Sequence, residues 1–460
     1  MSEGGDGRGR RAFLAGVAGL LGGLASAAIP RGAGVAAAMG RTPLGGRFTL
    51  HLPWSTSSID PHELRDPAAA LFAGAIADSV YGVDGAGNVY PTLAAGAPAR
   101  EGAAALVRLR EGLRTARGAA LDAQDLLFSV DRARARGGAA ALADVPRPKA
   151  HPTDKLAAIF PGADPARLAR ALSSPLVALL PRSFKASAPD GTGPFKAETG
   201  AKRMTLTRNV NAARGAAFLD AVEVVRADDL TTSLREFEAE RDDVGWLGAG
   251  LHSSRKGSVR FEHGVAAWVV LVTGAEAGAY GQPGVAQQLA DALPPERLAH
   301  LALGALPAAR GDAAWGGPPA ELLVDEAAPH LVEVAQAVAP ILSRPGHEVT
   351  ATPVARAELA RRRARGAALA IDLVRPVGPG PLGALLGLAT AEERARGVEL
   401  ARHPPRLGAG TPIRSLTTTL AVGVIGELRV AGALMPELAL ARAAEGGWDL
   451  GASYRRSARR

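Results

Sequence analysis

The sequence predicts an α/β protein of at least two domains. Apolar strands alternate with amphipathic helices in the C-terminal half: strands at 321–325, 347–352 and 367–374 enclose helices at 329–342 and 354–365. This order predicts a mainly parallel sheet with right-handed crossovers. With 460 residues, the chain exceeds one typical domain, and its 47% apolar content is enough for sizeable cores.

Composition excludes several classes of protein and of partner. The chain has no cysteine, which excludes disulfides, thiolate metal sites and a cysteine-linked lipid anchor. Its formal net charge is +8, but the only dense patch of arginines inside the chain is Arg361–Arg363 with Arg365, a run typical of a solvated helix face. Because no nucleic-acid-reading motif accompanies them, we predict no nucleic-acid partner.

The N-terminus carries the pattern of a twin-arginine export signal. Arg10 and Arg11 are followed by Phe13 and Leu14, and a weakly apolar run extends to Ile29. That run is short and weak for a membrane span, and Ala25-Ser26-Ala27 offers a cleavage pattern. We predict that residues 1–38 are signal and linker, with no stable membrane insertion after cleavage; a retained N-terminal helix is the alternative.

The first part of the mature chain alternates strands, polar turns and helices. Residues 48–52 predict a strand, and Asp60-Pro61-His62 predicts a turn that we interpret as structural. Helical spacing follows within 66–81, and alternation of Val107 and Leu109 with arginines predicts a strand at 105–110. A helix is predicted at 121–132, with Asp122 as its N-cap.

The middle of the chain is a tight turn between short strands. Gly191-Thr192-Gly193-Pro194 leaves the backbone little freedom. Alternation then predicts strands at 204–207 and 222–225. Ser233 with Glu236 predicts a capping box for the next helix, and 266–273 predicts a continuous apolar strand.

This middle stretch resembles the central signature of the family 5 solute-binding proteins, the peptide- and nickel-type receptors of ABC importers. In that family a Gly-Thr-Gly-Pro turn leads into a strand ending in Arg-Asn, here Arg208-Asn209, and then to Gly-x-x-x-Leu-Asp, here Gly215 to Asp220. Ile59 to His62 and the helix up to Arg132 also follow the family. The family's aromatic pair between those strands is missing, and Thr115–Gly118 replaces its aromatic-rich segment.

The resemblance implies a two-lobed periplasmic binding protein fold, of type II and of the large class with an extra subdomain. The expected division is residues 47–64, 191–265 and 412–454 for lobe I, 65–190 for the extra subdomain, and 266–411 for lobe II. The apolar strand at 266–273 would cross between the lobes.

The resemblance also implies a function, which is binding and not catalysis. A monomeric periplasmic receptor would capture a peptide or similar small solute and deliver it to the permease subunits of an ABC transporter. Two alternatives remain open: a degenerate receptor acting as a sensor or structural subunit, and an exported hydrolase.

A search for chemical motifs finds no catalytic residues, cofactor site or metal site. Gly378 to Gly383 matches a dinucleotide-binding pattern, but Pro379 and Pro381 remove the N–H donors that a phosphate would need. His330 and Glu333 are three residues apart, which we interpret as a surface pair because two ligands do not make a metal site.

Four residues are predicted to bind the ligand: Trp54, Ser55, Trp246 and Arg375. Trp54 and Trp246 follow strands, whose ends commonly frame a cleft, and Ser55 begins the polar loop after Trp54. A core position is the alternative for each tryptophan. Arg375 stands near the place where the family's peptide receptors have an acidic group, so a carboxylate or phosphate suits it better than a peptide amino group.

Overall fold

The computed structural model describes residues 42–246, 255–274, 277–301, 303–304, 317–375, 421–443 and 447–456. All of them belong to one compact unit, Ala36–Arg460. The predicted export signal at 1–38 and the glycine-proline run at 378–383 lie outside these residues. Within the described part of the chain, no helix combines the length and apolar character needed to cross a membrane.

The elements predicted from the sequence occur in the predicted order, and the structure adds further elements between them. The helices are α1 Pro67–Ile76, α2 Ala123–Arg134, α3 Pro165–Ala171, α4 Leu230–Glu238, α5 Val285–Asp291, α6 Pro295–Leu298, α7 Pro329–Leu342 and α8 Arg356–Ala364. The first ten strands are β1 Arg47–Leu52, β2 Tyr81–Val83, β3 Val89–Pro91, β4 Ala99–Glu101, β5 Ala104–Arg108, β6 Lys149–Ala150, β7 Ala157–Pro161, β8 Phe195–Glu198, β9 Arg203–Arg208 and β10 Ala221–Arg226. The remaining strands are β11 Val244–Trp246, β12 Val259–Thr273, β13 Leu303–Gly304, β14 Ala320–Asp325, β15 Val349–Val354, β16 Leu369–Val374, β17 Val422–Leu434, β18 Leu438–Arg442 and β19 Trp448–Arg455.

A four-stranded sheet carries the first strand and the central signature, in the order β1-β10-β9-β8. β1 is parallel to β10, and the other neighbours are antiparallel. Phe48, Leu50 and Leu52 are fully buried while the residues between them are partly exposed, and Met204 and Leu206 repeat the pattern on β9. The strands predicted at 48–52 and 204–207 are confirmed, and their burial alternates because successive side chains of a strand face opposite sides of its sheet.

A larger sheet is built from the C-terminal strands, in the order β11-β17-β12-β16-β14-β15, with β13 beside β17. β14 is parallel to both β15 and β16, which confirms the predicted strand-helix-strand units. β12 and β17 pair antiparallel over most of their length. The strand predicted at 266–273 is therefore the second half of a longer strand that begins at Val259.

A third sheet, β4-β5-β7-β6, packs with α2 and α3 around its own core. Val107, Leu126 and Phe160 are among the buried side chains of this core, which is separate from the main one. α2 begins after Asp122, whose carboxylate accepts from the backbone N–H of Gln124 and Asp125. The N-cap predicted at Asp122 is confirmed, and it fixes the helix that later borders the functional site.

The Gly-Thr-Gly-Pro turn closes the C-terminal end of α1. The Gly193 N–H donates to the Ile76 carbonyl at 2.8 Å, and the Thr192 hydroxyl donates to Asp78 at 3.1 Å. A Cβ on Gly193 would lie 2.5 Å from the carbonyl carbon of Ile76 and 2.6 Å from the carbonyl oxygen of Ala75. Glycine is needed here because two backbones approach closely and leave no room for a Cβ.

The capping box predicted at Ser233 and Glu236 is wrong. α4 begins one turn earlier, where Asp229 accepts from the Thr232 N–H at 2.6 Å. Ser233 lies inside the helix, and its hydroxyl donates to the His51 carbonyl at 2.6 Å. The carboxylate of Asp229 serves as the cap, so the serine is left to join α4 to β1.

Candidate functional site

The Asp60-Pro61-His62 turn connects β1 to α1 and is held by its own acids. Asp60 accepts from the His62 N–H at 3.1 Å, and Asp66 caps α1 by accepting from the N–H of Ala68 at 2.9 Å. The backbone N–H of Asp60 also donates to Asp66 at 3.3 Å. The predicted turn is confirmed, and its carboxylates fix the path of residues 60–66.

The C-terminal end of α2 and the residues just beyond it reach this turn. Arg132 binds both carboxylate oxygens of Asp60, at 2.8 and 2.6 Å, and Arg136 lies 3.1 Å from the same carboxylate. Burial alone would raise the pKa of Asp60, but the hydrogen bond and charge of Arg132, helped by the His62 N–H and Arg136, hold it below its usual value. Asp60 is therefore a buried anion that depends on these arginines.

Strand β16 of the larger sheet reaches the same turn from the other side. The backbone N–H of Arg375 donates to the Leu64 carbonyl at 2.9 Å, and its guanidinium donates to the carbonyls of Pro61 and Glu63 at 3.0 Å each. Earlier on β16, Asp372 lies 3.4 Å from Arg65 and pairs with Arg363 of α8. The turn thus joins three parts of the molecule.

A polar cavity of about 500 Å³ opens where the turn meets the end of α2. Its walls consist of Glu63, Leu64, Arg65, Arg132, Ala135, Arg136 and Gly137. The volume lies within the range of small-molecule sites, and three of the seven residues carry guanidinium groups. Within the described residues, no group of three or more potential His, Cys, Asp or Glu ligands gathers to hold a metal ion.

Two of the predicted site residues, Trp54 and Ser55, are not among the residues that line this cavity. Trp54 is 1% exposed and belongs to the main core, the alternative that the sequence left open, with its ring 6.2 Å from that of His330. The Ser55 N–H donates to the Ala327 carbonyl at 3.1 Å, just before α7. Both residues therefore join β1 to the α7 side of the larger sheet, and their contact with a ligand stays a prediction.

Of the other two predicted residues, the structure describes the side chain of Arg375 but not that of Trp246. Trp246 ends β11 opposite Gly432, and its side chain lies outside the described part of the structure. Arg375 is 3% exposed, and burial lowers its pKa to about 10 despite the opposing charges of Asp66, Asp60 and Glu63. Its guanidinium is a cation bound to backbone carbonyls, so its pairing with an anionic ligand stays a prediction.

The arginines of the run at 361–363 differ in their surroundings: some lie in solvent, and one faces Asp372. Arg361 pairs with Glu358 on the solvent side of α8, as predicted. Arg363 is only 14% exposed and faces Asp372, so the prediction of a wholly solvated run is wrong for it. Burial, together with the charge of Arg65, lowers the pKa of Arg363 to about 9.

The predicted surface pair of His330 and Glu333 is also wrong. His330 is fully buried, and its Nε2–H donates to the Leu301 carbonyl at 2.6 Å. Glu333 accepts from the Leu230 N–H at 3.2 Å. His330 shares its face of α7 with buried Val334 and Val338, four and eight residues later, and that spacing could have revealed it.

Sequence reasoning did not single out Arg65 and Arg136, which line the cavity. Arg132 and Arg136 are four residues apart, and this spacing places both on one side of α2 and its end. The spacing was a usable signal, but the acid they share, Asp60, is 72 residues from Arg132 and joins it only through tertiary folding.

His62 makes the turn sensitive to acid. Its Nε2–H donates to the Ala178 carbonyl at 2.7 Å, and burial lowers its pKa from 6.5 to about 4, reinforced by the charges of Arg132 and Arg375 and opposed by the Ala178 bond and Asp60. Because the unfolded chain takes up this proton near pH 6.5 and the folded chain does not, stability falls as the pH drops from 6.5 toward 4.

We expect His62→Gln to flatten this pH dependence. A glutamine amide can still donate to the Ala178 carbonyl but does not titrate. Between pH 6.5 and 4.5 the parent should lose about 2–3 kcal/mol more unfolding free energy than the variant. Urea unfolding at both pH values measures the difference, and equal losses would contradict a neutral buried His62.

Comparison with solved structures places this architecture among known binding proteins. The chain is similar to the oligopeptide-binding protein AppA of Bacillus subtilis in complex with a nonapeptide: TM-score 0.68, 13% identity, 91% of this chain and 100% of that one. It is also similar to NikA of Brucella suis in complex with Fe(III)-EDTA (TM-score 0.62, 15% identity, 89% and 100%). The murein tripeptide binding protein MppA of Escherichia coli gives a TM-score of 0.67, 12% identity, and coverage of 89% and 98%.

No protein-family model matches the chain. No curated protein matches it either. The structural matches confirm the two-lobed type II binding-protein fold, and the resemblance to family 5 solute-binding proteins is confirmed at the level of fold. At 12–15% identity this likeness concerns the fold alone.

Proposed function

We propose that this protein is the periplasmic solute-binding component of an ABC uptake system. It captures a peptide or similar small solute between two lobes and delivers it to the permease in the membrane. It acts as a monomer and catalyses no reaction. The observation that carries the proposal is the polar cavity between residues 63–65 and the end of α2, next to the turn at 60–62 that Arg375, after β16, also contacts.

The turn at 60–62 contacts parts of the chain that belong to different proposed lobes, and this supports closure around a solute. The proposed lobe I (47–64, 191–265 and 412–454) contributes the turn. The proposed extra subdomain (65–190) contributes Arg65 and α2. The proposed lobe II (266–411) contributes β16 and α7. A solute that contacts several of these parts favours the closed arrangement over the open one. Turning a 99:1 open population into a 99:1 closed one requires roughly 5.5 kcal/mol of such preference.

The four residues predicted from sequence belong to this proposal as ligand contacts. Trp54 and Ser55 lie where β1 meets α7, and Arg375 lies where β16 meets the turn. In each case one element belongs to proposed lobe I and the other to proposed lobe II, so closure of the lobes would move them relative to each other. Trp246 would contribute a flat apolar surface from the end of β11.

Native mass spectrometry of protein purified from its periplasm tests the proposal. A receptor should retain a small solute that is released on denaturation, and the isolated solute should bind again with saturation. Protein that carries no solute, together with a gene neighbourhood that lacks a permease, would favour the degenerate receptor. Turnover of esters or peptides by the purified protein would favour the hydrolase.

Export through the twin-arginine route is part of the proposal. We expect the double change of Arg10 and Arg11 to lysine to leave precursor in the cytoplasm, because this route recognises the paired arginines. Cell fractionation with immunoblotting measures the distribution. Changing Arg8 to lysine is the matched control, and normal periplasmic accumulation of the double variant would contradict the route.

A further inference from the structure

We propose that the cavity at the end of α2 binds one anionic group of the solute, a carboxylate or a phosphate, between Arg65 and Arg136. The inference rests on the proposed function of solute capture and specifies its substrate class. It concerns residues other than the four predicted from the sequence.

Two arginines share the single negative charge of Asp60. Arg132 already binds both of its carboxylate oxygens, at 2.8 and 2.6 Å. Arg136 shares one of those oxygens at 3.1 Å, and its other acid, Glu63, is 3.8 Å away. The Arg136 side chain is 46% exposed and lines the cavity, so it can turn part of its donor set to a ligand.

Two arginines likewise share the single negative charge of Asp372. Arg363, which is buried, and Arg65 both pair with this single carboxylate. Arg65 makes the longer contact, at 3.4 Å, and its side chain is 38% exposed toward the cavity that it lines. Each of the two buried acids thus leaves one arginine with unused bonding capacity, and both of these arginines border the same cavity.

The whole cluster has more arginines than acids among the residues that the structure describes. It contains five arginines at positions 65, 132, 136, 363 and 375, and four acids at positions 60, 63, 66 and 372. Among the described residues the arginines therefore exceed the acids by one positive charge, in a partly buried place where excess charge is costly. Arg356 and Asp325 extend the cluster by one charge of each sign and leave the excess unchanged.

A single oxyanion would remove this excess. Guanidinium groups match the geometry of carboxylates and phosphates, which accept two parallel N–H bonds. Glu63 stands in the same wall, 33% exposed, and its charge disfavours polyanions. The site therefore suits a solute with one anionic group at this end.

Anion titration of the stripped protein tests the inference. The exported protein is freed of solute by unfolding and refolding, and its melting temperature is followed with sodium phosphate and with sodium acetate, against sodium chloride at equal ionic strength. We expect a saturable rise with at least one oxyanion. Arg65→Gln and Arg136→Gln should each weaken apparent binding about tenfold or more, since each removes a charge-assisted bond.

Arg167→Gln is the matched control. Arg167 is exposed on α3 of the same subdomain, so this variant loses the same charge but should bind as the parent does. Circular dichroism verifies that each variant is folded. If neither oxyanion gives a saturable effect, or if the two cavity variants bind like Arg167→Gln, the inference is overturned.

The solute found by mass spectrometry separates this inference from the proposed function. A bound neutral or purely cationic solute would overturn the anion site and leave solute capture intact. A bound anionic solute whose affinity falls in Arg65→Gln and Arg136→Gln, but not in Arg167→Gln, would support both. An oxyanion effect in the titration, with no solute and no permease, would support the site and count against uptake.

Discussion

Replacing Asp60 with asparagine is expected to lower the free energy of unfolding by about 3–5 kcal/mol, the usual result of removing one partner of a buried ion pair. The Asp60 side chain is 8% exposed and the Arg132 side chain 14%. Asparagine would leave Arg132 buried without its anion, and Arg136 would lose its nearer acid. Urea unfolding at pH 7 measures the change.

Glu198→Gln is the control for this prediction, because it makes the same acid-to-amide change in an exposed pair. Lys196 and Glu198 lie 2.9 Å apart, but their side chains are 37% and 62% exposed. Water and salt screen such a pair, so we expect no measurable loss of stability. If the two variants lose equal stability, Asp60 does not have the supporting role that its contacts indicate.

The Asp60 result bears on function because one carboxylate orders three parts of the molecule. It fixes the turn through the His62 N–H and the end of α2 through Arg132. Backbone carbonyls of Pro61 and Glu63 accept hydrogen bonds from Arg375, which follows β16. Loss of Asp60 should therefore loosen the cavity walls as well as the fold, and solute affinity should fall together with stability.

Much of the fold could be predicted from the sequence, because local patterns determine it. Alternation in 204–207 specified a strand, residues 48–52 specified another, and Asp122 specified the start of α2. The long helix at 329–342 has the bounds that its apolar spacing predicted. In each case neighbours within one turn or one strand carry the signal.

The site could be predicted only in part, because its contacts join residues far apart in the sequence. Arg375 is 312 residues from Glu63, whose carbonyl it binds, and no local pattern reveals such a contact. The run at 361–363 has the composition of a surface helix, and only the position of β16 turns Arg363 inward to Asp372. The tryptophan at 54 fitted a core or a cleft equally well from its local sequence, and only the folded chain shows that its ring lies in the main core.

The second large effect is expected at the central signature, where Gly193→Ala should lower the free energy of unfolding by about 3 kcal/mol. The new Cβ would lie 2.5 Å from the carbonyl carbon of Ile76 and 2.6 Å from the carbonyl oxygen of Ala75. Both atoms belong to the last turn of α1, which cannot move aside as a flexible side chain could. Overpacking of this kind typically costs 1–3 kcal/mol, and a backbone contact belongs at the upper end of that range.

Gly74→Ala, on the same helix, makes the same chemical change with the opposite expected sign. A Cβ at Gly74 meets nothing within 4 Å, and the residue is exposed inside α1. Alanine there should raise the free energy of unfolding by about 0.5–1 kcal/mol, because it restricts the unfolded chain and favours helix. Thermal and urea unfolding of the two variants should therefore diverge from the parent in opposite directions. Equal behaviour would mean that the turn does not press against the end of α1, and that the signature has another role.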